Sequence, residues 1–363
     1  MQLKKNVLEG RRILVTGGTG SMGKVLVRRI LAGELGTPRK VMVLSRDEAK
    51  HHDMRLAYME KRVTTDEVIY RNFVNTLEFR LGDVRDYSTV ASAVRSADVV
   101  INAAALKQVP NCEYFPEQAV LTNCIGPSNI VRAIREGGLP VETVVGISTD
   151  KACKPINVMG MTKAIHERIF TSANVLNPDT RFICTRYGNV MASRGSVIPL
   201  FHDQILHGGP VTITAPEMTR FLMTLEEAVD CVFAALTDAN RGETYIPRAP
   251  ATTVLNLAKA LIGGRDIEIK QVGVRPGEKM HEALLSDEES EFTEQRGDFY
   301  AIRPKLPELH EDRPWRRVLT GEFSSKDNVL NVEQTTALLR KHRLLVGMAK
   351  EIGGVELFER AAA

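Results

Sequence analysis

The sequence predicts an α/β protein: a Rossmann-type doubly wound parallel sheet carrying a smaller mixed α/β substrate-binding domain. Two observations point to that class. The amino-terminal half holds short apolar runs separated by segments of helical periodicity, and continuous apolar runs of this length suit strands buried on both faces. The first run leads at once into Gly17-Gly18-Thr19-Gly20-Ser21-Met22-Gly23, a glycine turn of the kind that joins a strand to a phosphate-binding helix.

The first strand is expected at Arg12–Thr16 and its helix at residues 24–31. Glycines at 17, 20 and 23 allow a tight turn, close backbone approach to a pyrophosphate and tight helix packing, and the helix N-terminus adds amide donors. The second strand, residues 40–44, ends in Ser45-Arg46-Asp47, about twenty residues past the glycines, where an acid takes the ribose 2′-hydroxyl of NAD. Arg46 stands there instead, and a guanidinium favours the 2′-phosphate of NADP. Asp47, one residue later, leaves NAD open. Leu77–Leu81 runs into Gly82-Asp83-Val84, and residues 97–102 run into Ala103-Ala104-Ala105, whose small side chains either admit a flat cofactor or simply pack a helix. The candidate cofactor-binding residues on these strand ends are Gly17, Thr19, Gly20, Ser21, Met22 and Gly23, then Ser45, Arg46 and Lys50, then Asp83 and Val84, then Ala103, Ala104 and Ala105.

The fifth strand, residues 142–147, delivers Ser148-Thr149-Asp150-Lys151 to the carboxyl edge of the sheet, where open α/β folds bind ligands. Lys163 follows Met159 by four residues on a predicted helix over 159–170, so the two side chains share a face. In the short-chain dehydrogenase pattern the first of that pair is tyrosine; methionine cannot exchange a proton, so proton transfer falls to other groups. An isolated Asp-Lys pair reads most simply as a turn cap beside a solvated amine, and it is the strand-end position that favours chemistry. His51 and His52 lie in a polar stretch and are expected to be exposed. Tyr187 is not expected to replace the missing tyrosine.

From about residue 190 the strand-helix alternation weakens, as expected where substrate-binding pieces are added. The expected division is residues 1–190 for cofactor with a return segment at about 222–250, residues 191–221 and 251–306 for substrate, and residues 307–363 as an extension. Residues 225–236 have helical periodicity and should cover the sheet. Trp315 among Arg313, Arg316 and Arg317, and a helix at Val332–Lys341, suggest a subunit contact.

Composition excludes several classes. Lys plus Arg (48) nearly balance Asp plus Glu (45), so a net charge of +3 offers no field for nucleic acid. No apolar stretch reaches the ~18 residues of a membrane helix, and no signal-peptide core follows Met1, so a cytoplasmic protein is expected. The 5 cysteines are scattered without metal-ligand spacing, which predicts reduced packed thiols and no metal site.

With Thr16-Gly17-x-x-Gly20-x-x-Gly23, Asn102-Ala103-Ala104-Ala105 and Lys163 in register, the first half resembles the extended short-chain dehydrogenase/reductase superfamily. Ala105-Leu106-Lys107-Gln108-Val109-Pro110, Ser148-Thr149-Asp150-Lys151-Ala152, Arg186-Tyr187-Gly188-Asn189-Val190, Ser193-Arg194-Gly195-Ser196-Val197 and Arg275-Pro276-Gly277-Glu278-Lys279 narrow it. They resemble the UDP-N-acetylglucosamine 4,6-dehydratases of surface-polysaccharide biosynthesis, over roughly residues 10–300, and Asn157-Val158-Met159-Gly160 is similar to the subgroup that inverts C5. The resemblance implies NADP-dependent oxidation at C4, loss of water across C5 and C6, and hydride return to C6. It implies Lys151 as the C5 base, Asp150 as the acid at the C6 oxygen, Thr149 on a sugar hydroxyl and Lys163 on the nicotinamide ribose, with Asn123 completing the cofactor contacts. Lys107, Asn189, Arg194, Ser196, Arg275 and Glu278 would hold UDP-N-acetylglucosamine, and Arg220, beside Phe221, either joins them or simply packs. A lysine base requires an amine well below its ordinary pKa of about 10.4, through burial and through the charge of Lys163 and the oxidised nicotinamide. Thr149 with a water chain, or Asp150 acting twice, are the choices for the C4 hydroxyl proton. A homo-oligomer, hexamer or dimer, is implied. The alternatives are a UDP-sugar 4-epimerase and a non-catalytic NADP-sensing scaffold.

Overall fold

The computed structural model describes residues 6–59, 73–191, 196–310 and 315–348, with two short strands beyond them at Glu351–Ile352 and Val355–Glu356. Its centre is a nine-stranded sheet. The amino-terminal strands are β1 (Arg12–Thr16), β2 (Lys40–Ser45), β3 (Leu77–Leu81), β4 (Val99–Asn102), β5 (Thr143–Thr149) and β6 (Arg181–Tyr187), arranged in the order β6-β5-β4-β1-β2-β3. All of these pairs are parallel. Strand Thr244–Pro247 adds beside β6 in parallel, and Phe299–Ile302 and Thr293–Arg296 extend that edge antiparallel. Residues 293–302 thus belong to the main sheet, which corrects their expected place in the substrate domain. Helix Leu225–Asp238 covers one face and feeds the Thr244–Pro247 strand.

Alternate residues of β1 show why the strands are apolar throughout. Ile13 and Val15 point into a layer made with Leu26, Val27, Ile30 and Leu31 of α1 (Ser21–Leu31) and with the Leu225–Asp238 helix. Leu14 points to the other face, among Val90, Ile130, Ile134 and Phe170 from three other helices. Helices on both faces require apolar residues at every position, so the period-2 pattern of a half-exposed strand is missing. The strand order reverses between β4 and β1, which opens a crevice at the carboxyl ends of the strands.

A second core is built from helices Val197–Leu206, Val254–Ile262 and Val332–Lys341, with small sheets at their border. The last of these helices was expected to meet a neighbouring subunit. Its buried residues, Thr335 and Leu339, pack instead on the chain's own Val254–Ile262 helix. Trp315 lies under the Arg303 guanidinium, 5.4 Å from the ring centre. All five cysteines are buried and unpaired with one another. No helix among the described residues is long and apolar enough to cross a membrane.

Candidate functional site

The glycine turn is shaped by contact with the next strand end. The Gly17 amide donates to the Leu44 carbonyl (2.8 Å), and the Ala103 amide reaches the Thr16 carbonyl (3.1 Å). Gly17 has φ +67°, and a Cβ there would lie 2.7 Å from the Ala104 nitrogen. A Cβ on Gly23 would lie 2.6 Å from the Gly17 carbonyl, so both positions exclude any larger residue. No side chain caps the first turn of α1, whose amides face the turn. This arrangement fits a pyrophosphate, since uncapped amides and the helix dipole favour an anion. Gly17→Ala is expected to weaken dinucleotide binding and to cost about 1–3 kcal/mol from the left-handed backbone; titration calorimetry with an unchanged Kd would contradict the assignment.

At the end of β2, Thr19 Oγ1 donates to Ser45 Oγ (3.1 Å), which bonds to His51 Nε2 (2.7 Å). His51 is therefore buried, not exposed as expected, and burial lowers its pKa. His52 is exposed as predicted. Asp47 is held by Lys50, through both the amide (3.0 Å) and the ammonium (2.7 Å). Arg46 remains half-exposed with its guanidinium 3.5 Å from Asp83, whose other partner is Arg85. Val84 is buried against Gly126, and Ala105 is exposed. Asn123, expected on the cofactor, has its amide committed within the chain: it accepts from the Leu106 amide (2.9 Å) and donates to the Leu106 carbonyl and Thr162 Oγ1, both at 3.0 Å. It pins the loop after β4.

At the end of β5 the predicted trio converges. Thr149 is the last strand residue, and Asp150 begins a single 3₁₀ turn with its side chain fully buried. Thr149 Oγ1 donates to Asp150 Oδ1 (2.8 Å), and Lys151 Nζ reaches the same oxygen at 3.1 Å. Lys151 Nζ also lies 3.4 Å from Asn189 Oδ1 and 3.2 Å from Glu282 Oε1. The expected depression of Lys151 is not what the site produces. Burial alone would lower it, but the carboxylates of Asp150 and Glu282 outweigh burial and hold the ammonium above the ordinary lysine value.

The depressed amine is Lys163. It is buried with no carboxylate in contact among the described residues, its Nζ 3.0 Å from His166 Nδ1, and burial brings it down to about 8. Met159 is buried among Cys112, Ala119 and Leu106, so the tyrosine position is filled by packing. Helix Val158–Leu176 is started by Asn157, whose side chain accepts from the Gly160 amide and donates to the Gly277 carbonyl, both at 2.8 Å. A Cβ on Gly160 would collide with the Lys151 carbonyl, which explains how closely this helix approaches the turn.

The Asn157 contact docks the Arg275-Pro276-Gly277-Glu278 turn at the start of this helix. Arg275 is exposed, with its amide on Glu278 Oε2 at 3.4 Å. Arg220 donates to the Thr219 carbonyl (2.7 Å) and is one of the positive charges felt by Lys151. Lys107 is exposed just past β4, and Ser196 precedes the Val197–Leu206 helix. Arg194 lies outside the described residues, as does Arg313. Tyr187 is buried with Met223 and Ala228 in an apolar cluster that keeps its phenol protonated.

Sequence reasoning missed four buried groups. Arg186 on β6 makes paired contacts with Glu167 (2.6 and 3.0 Å) and with Glu289 (2.8 and 2.9 Å), and Ser148 Oγ donates to Glu167 at 2.5 Å. Glu167 follows Lys163 by four residues, a spacing that puts both on one face of the helix. Glu282 and Glu289 arrive from distant sequence with no local signal.

The sequence matches the family described as polysaccharide biosynthesis protein over residues 13–304. A UDP-glucose 4-epimerase of Rickettsia conorii is 42% identical over 297 residues, which is 80% of this chain and 82% of that one. The X-ray structure of Pen from Bacillus thuringiensis is similar with TM-score 0.81 and 34% identity, covering 93% of this chain and 99% of that one. DesIV of Streptomyces venezuelae, a dTDP-glucose 4,6-dehydratase solved with NAD and TYD bound, shares the fold at TM-score 0.61 and 22% identity, over 74% of this chain and 86% of that one.

Proposed function

Since the chain belongs to the polysaccharide biosynthesis protein family, with the extended short-chain dehydrogenase/reductase fold, we propose that it dehydrates UDP-N-acetylglucosamine to a UDP-2-acetamido-2,6-dideoxy-4-hexulose with inversion at C5. The observation that carries this reading is the Asp150–Lys151 pair, 3.1 Å apart at the end of β5, because an acid beside a base is what removal of water across C5 and C6 requires. The nicotinamide cofactor, when bound, takes hydride from C4 and returns it to C6.

The chain's own groups handle the protons. Lys151 and Asp150 share one proton, and its transfer across 3.1 Å turns the ion pair into amine and carboxylic acid. The amine nitrogen takes the C5 proton; the electron pair left behind forms the C5–C6 double bond as the C6–O bond breaks; Asp150 gives its proton to the departing oxygen, which leaves as water. The pair is left as ammonium and carboxylate, the form in which it began, and after hydride return to C6 the C5 carbon takes a proton on its opposite face, which balances the one released from the C4 hydroxyl. Thr149 holds Asp150 and is within reach of the same sugar hydroxyls; it or Asp150 takes the C4 hydroxyl proton. Lys163 holds the nicotinamide ribose, while Lys107, Asn189, Arg194, Ser196, Arg220, Arg275 and Glu278 hold the sugar nucleotide.

The cofactor is read as NADP, through Arg46. With Asp47 tied to Lys50, the guanidinium is a half-exposed charge at the end of β2, 3.5 Å from Asp83. Arg46→Ala should weaken NADP roughly 10- to 100-fold, the size of a lost charged hydrogen bond, and leave NAD nearly unchanged, as measured by fluorescence titration. Equal losses for both cofactors would remove Arg46 from this role.

A second reading, a UDP-sugar 4-epimerase, is favoured by the Rickettsia relatives, which are named UDP-glucose 4-epimerases. Product mass separates the two, because dehydration loses water and epimerisation leaves mass unchanged. Incubation of the protein with UDP-N-acetylglucosamine and no added reductant is the decisive test, with proton NMR of the product to read C5. A homo-oligomer, hexamer or dimer, in the cytoplasm completes the proposal. Tyr114, Phe115, Met161 and Ile165 support it, as exposed apolar side chains on two adjacent helical segments.

A further inference from the structure

Glu282 is 2% exposed, yet its carboxylate sits 3.2 Å from Lys151, 131 positions away in sequence. Its backbone is fixed from both sides: the Glu282 amide donates to Ser325 Oγ (2.9 Å), and the Ser325 amide donates to the Glu282 carbonyl (2.7 Å). Ser325 Oγ is in turn bonded to Thr219 Oγ1 (2.7 Å), which also meets His281 Nδ1 (2.8 Å). A rigid mount of this kind holds a side chain in one direction. The second oxygens, Asp150 Oδ2 and Glu282 Oε2, are both buried and accept no hydrogen bond among the described residues, although Lys279 Nζ stands 3.8 Å from the latter. Leaving the second oxygen of each buried carboxylate without a hydrogen bond costs stability, and such groups are most readily explained by function.

We propose that Glu282 is a positioning residue for Lys151, a carboxylate that aims the amine and stabilises the ammonium formed when the C5 proton arrives. The inference rests on the dehydration reading. The logic is that of a base held by a third group: charge appears on the Lys151 nitrogen as the C–H bond breaks, and a fixed anion already pointing at it needs no rearrangement at that moment. Asp150 cannot fill this role alone, because its carboxyl is simultaneously giving up a proton to the C6 oxygen.

The test uses the full chain with NADP and UDP-N-acetylglucosamine in heavy water. Glu282→Gln should lower kcat for C5 deuterium exchange and water loss by roughly a hundredfold, with KM nearly unchanged. It should also move the alkaline limb of the rate to lower pH, since one of the two anions that keep the proton on Lys151 is gone. Glu282→Asp should recover part of both. A second measurement needs no substrate: trace acetylation of Lys151 by acetic anhydride, followed by mass spectrometry across pH, should begin at lower pH in Glu282→Gln than in wild type. An unmoved acetylation profile overturns the proposal, as does an unmoved alkaline limb. If wild type loses no water and exchanges no C5 proton, the dehydration reading falls, and the acetylation profile still decides whether Glu282 governs Lys151.

Discussion

Lys151→Ala is expected to abolish deuterium incorporation at C5 while NADP binding survives. General bases contribute roughly 10²- to 10⁴-fold, and the other amines near this one are committed elsewhere: Lys163 is turned to His166, and Lys279 donates to the Cys153 carbonyl (2.6 Å). The substitution removes a cation from between two buried carboxylates, so Lys151→Met, which keeps the stem, is the control for packing. The pH dependence has a definite sign. The reactive form carries one proton shared by Asp150 and Lys151, and the carboxylates hold that proton on the amine to higher pH than an ordinary lysine. Activity should therefore be level through neutrality and fall only in the alkaline range. Retained exchange in Lys151→Ala, or a rate that falls on the acid side of neutrality with no alkaline limb, would remove Lys151 from the role of base.

The second large effect is on stability. Arg186→Ala leaves Glu167 and Glu289 as buried carboxylates with no guanidinium between them, and breaking a buried ion pair from one side costs about 3–5 kcal/mol. Both acids are tied to the centre of the fold, Glu167 on the helix that carries Lys163 and Glu289 on the helix Asp287–Ser290. Burial would raise the Glu289 carboxyl, but Arg186 outweighs it and brings the group down to about 2. A folded pKa below the unfolded one contributes stability that is complete above the ordinary carboxylate range and is lost as pH falls toward 2. Wild type should accordingly lose stability on acidification through that window, and Arg186→Ala should have lost this part of the slope already. Denaturant unfolding at several pH values measures both; a parallel acid slope in the two proteins would mean that the triad contributes nothing through Glu289.

Much of this architecture was legible in the chain itself. The runs at Arg12–Thr16 and Leu77–Leu81 became strands with the bounds expected, and the helix at Val332–Lys341 likewise, because each has a local period or a local turn that marks its ends. The glycine turn and the Thr149-Asp150-Lys151 strand end were legible for the same reason. What failed was whatever depends on distant chain. His51 looked solvated from its polar neighbours, but Ser45 and Phe79 enclose it. Residues 293–302 looked like part of an added domain, because nothing in an isolated strand says which sheet edge it will complete. The charge state of Lys151 was misjudged because its neighbours in sequence include one carboxylate, whereas its neighbours in space include two.

The lock between Glu282 and Ser325 has a consequence for the growing polypeptide. The proposed dinucleotide cradle lies within the strands and glycine turn that end at β6, whereas the anion facing Lys151 is secured only after residue 325 has joined the fold. On that proposal, freeing Glu282 from this late-arriving serine would idle the amine and leave the coenzyme's seat untouched.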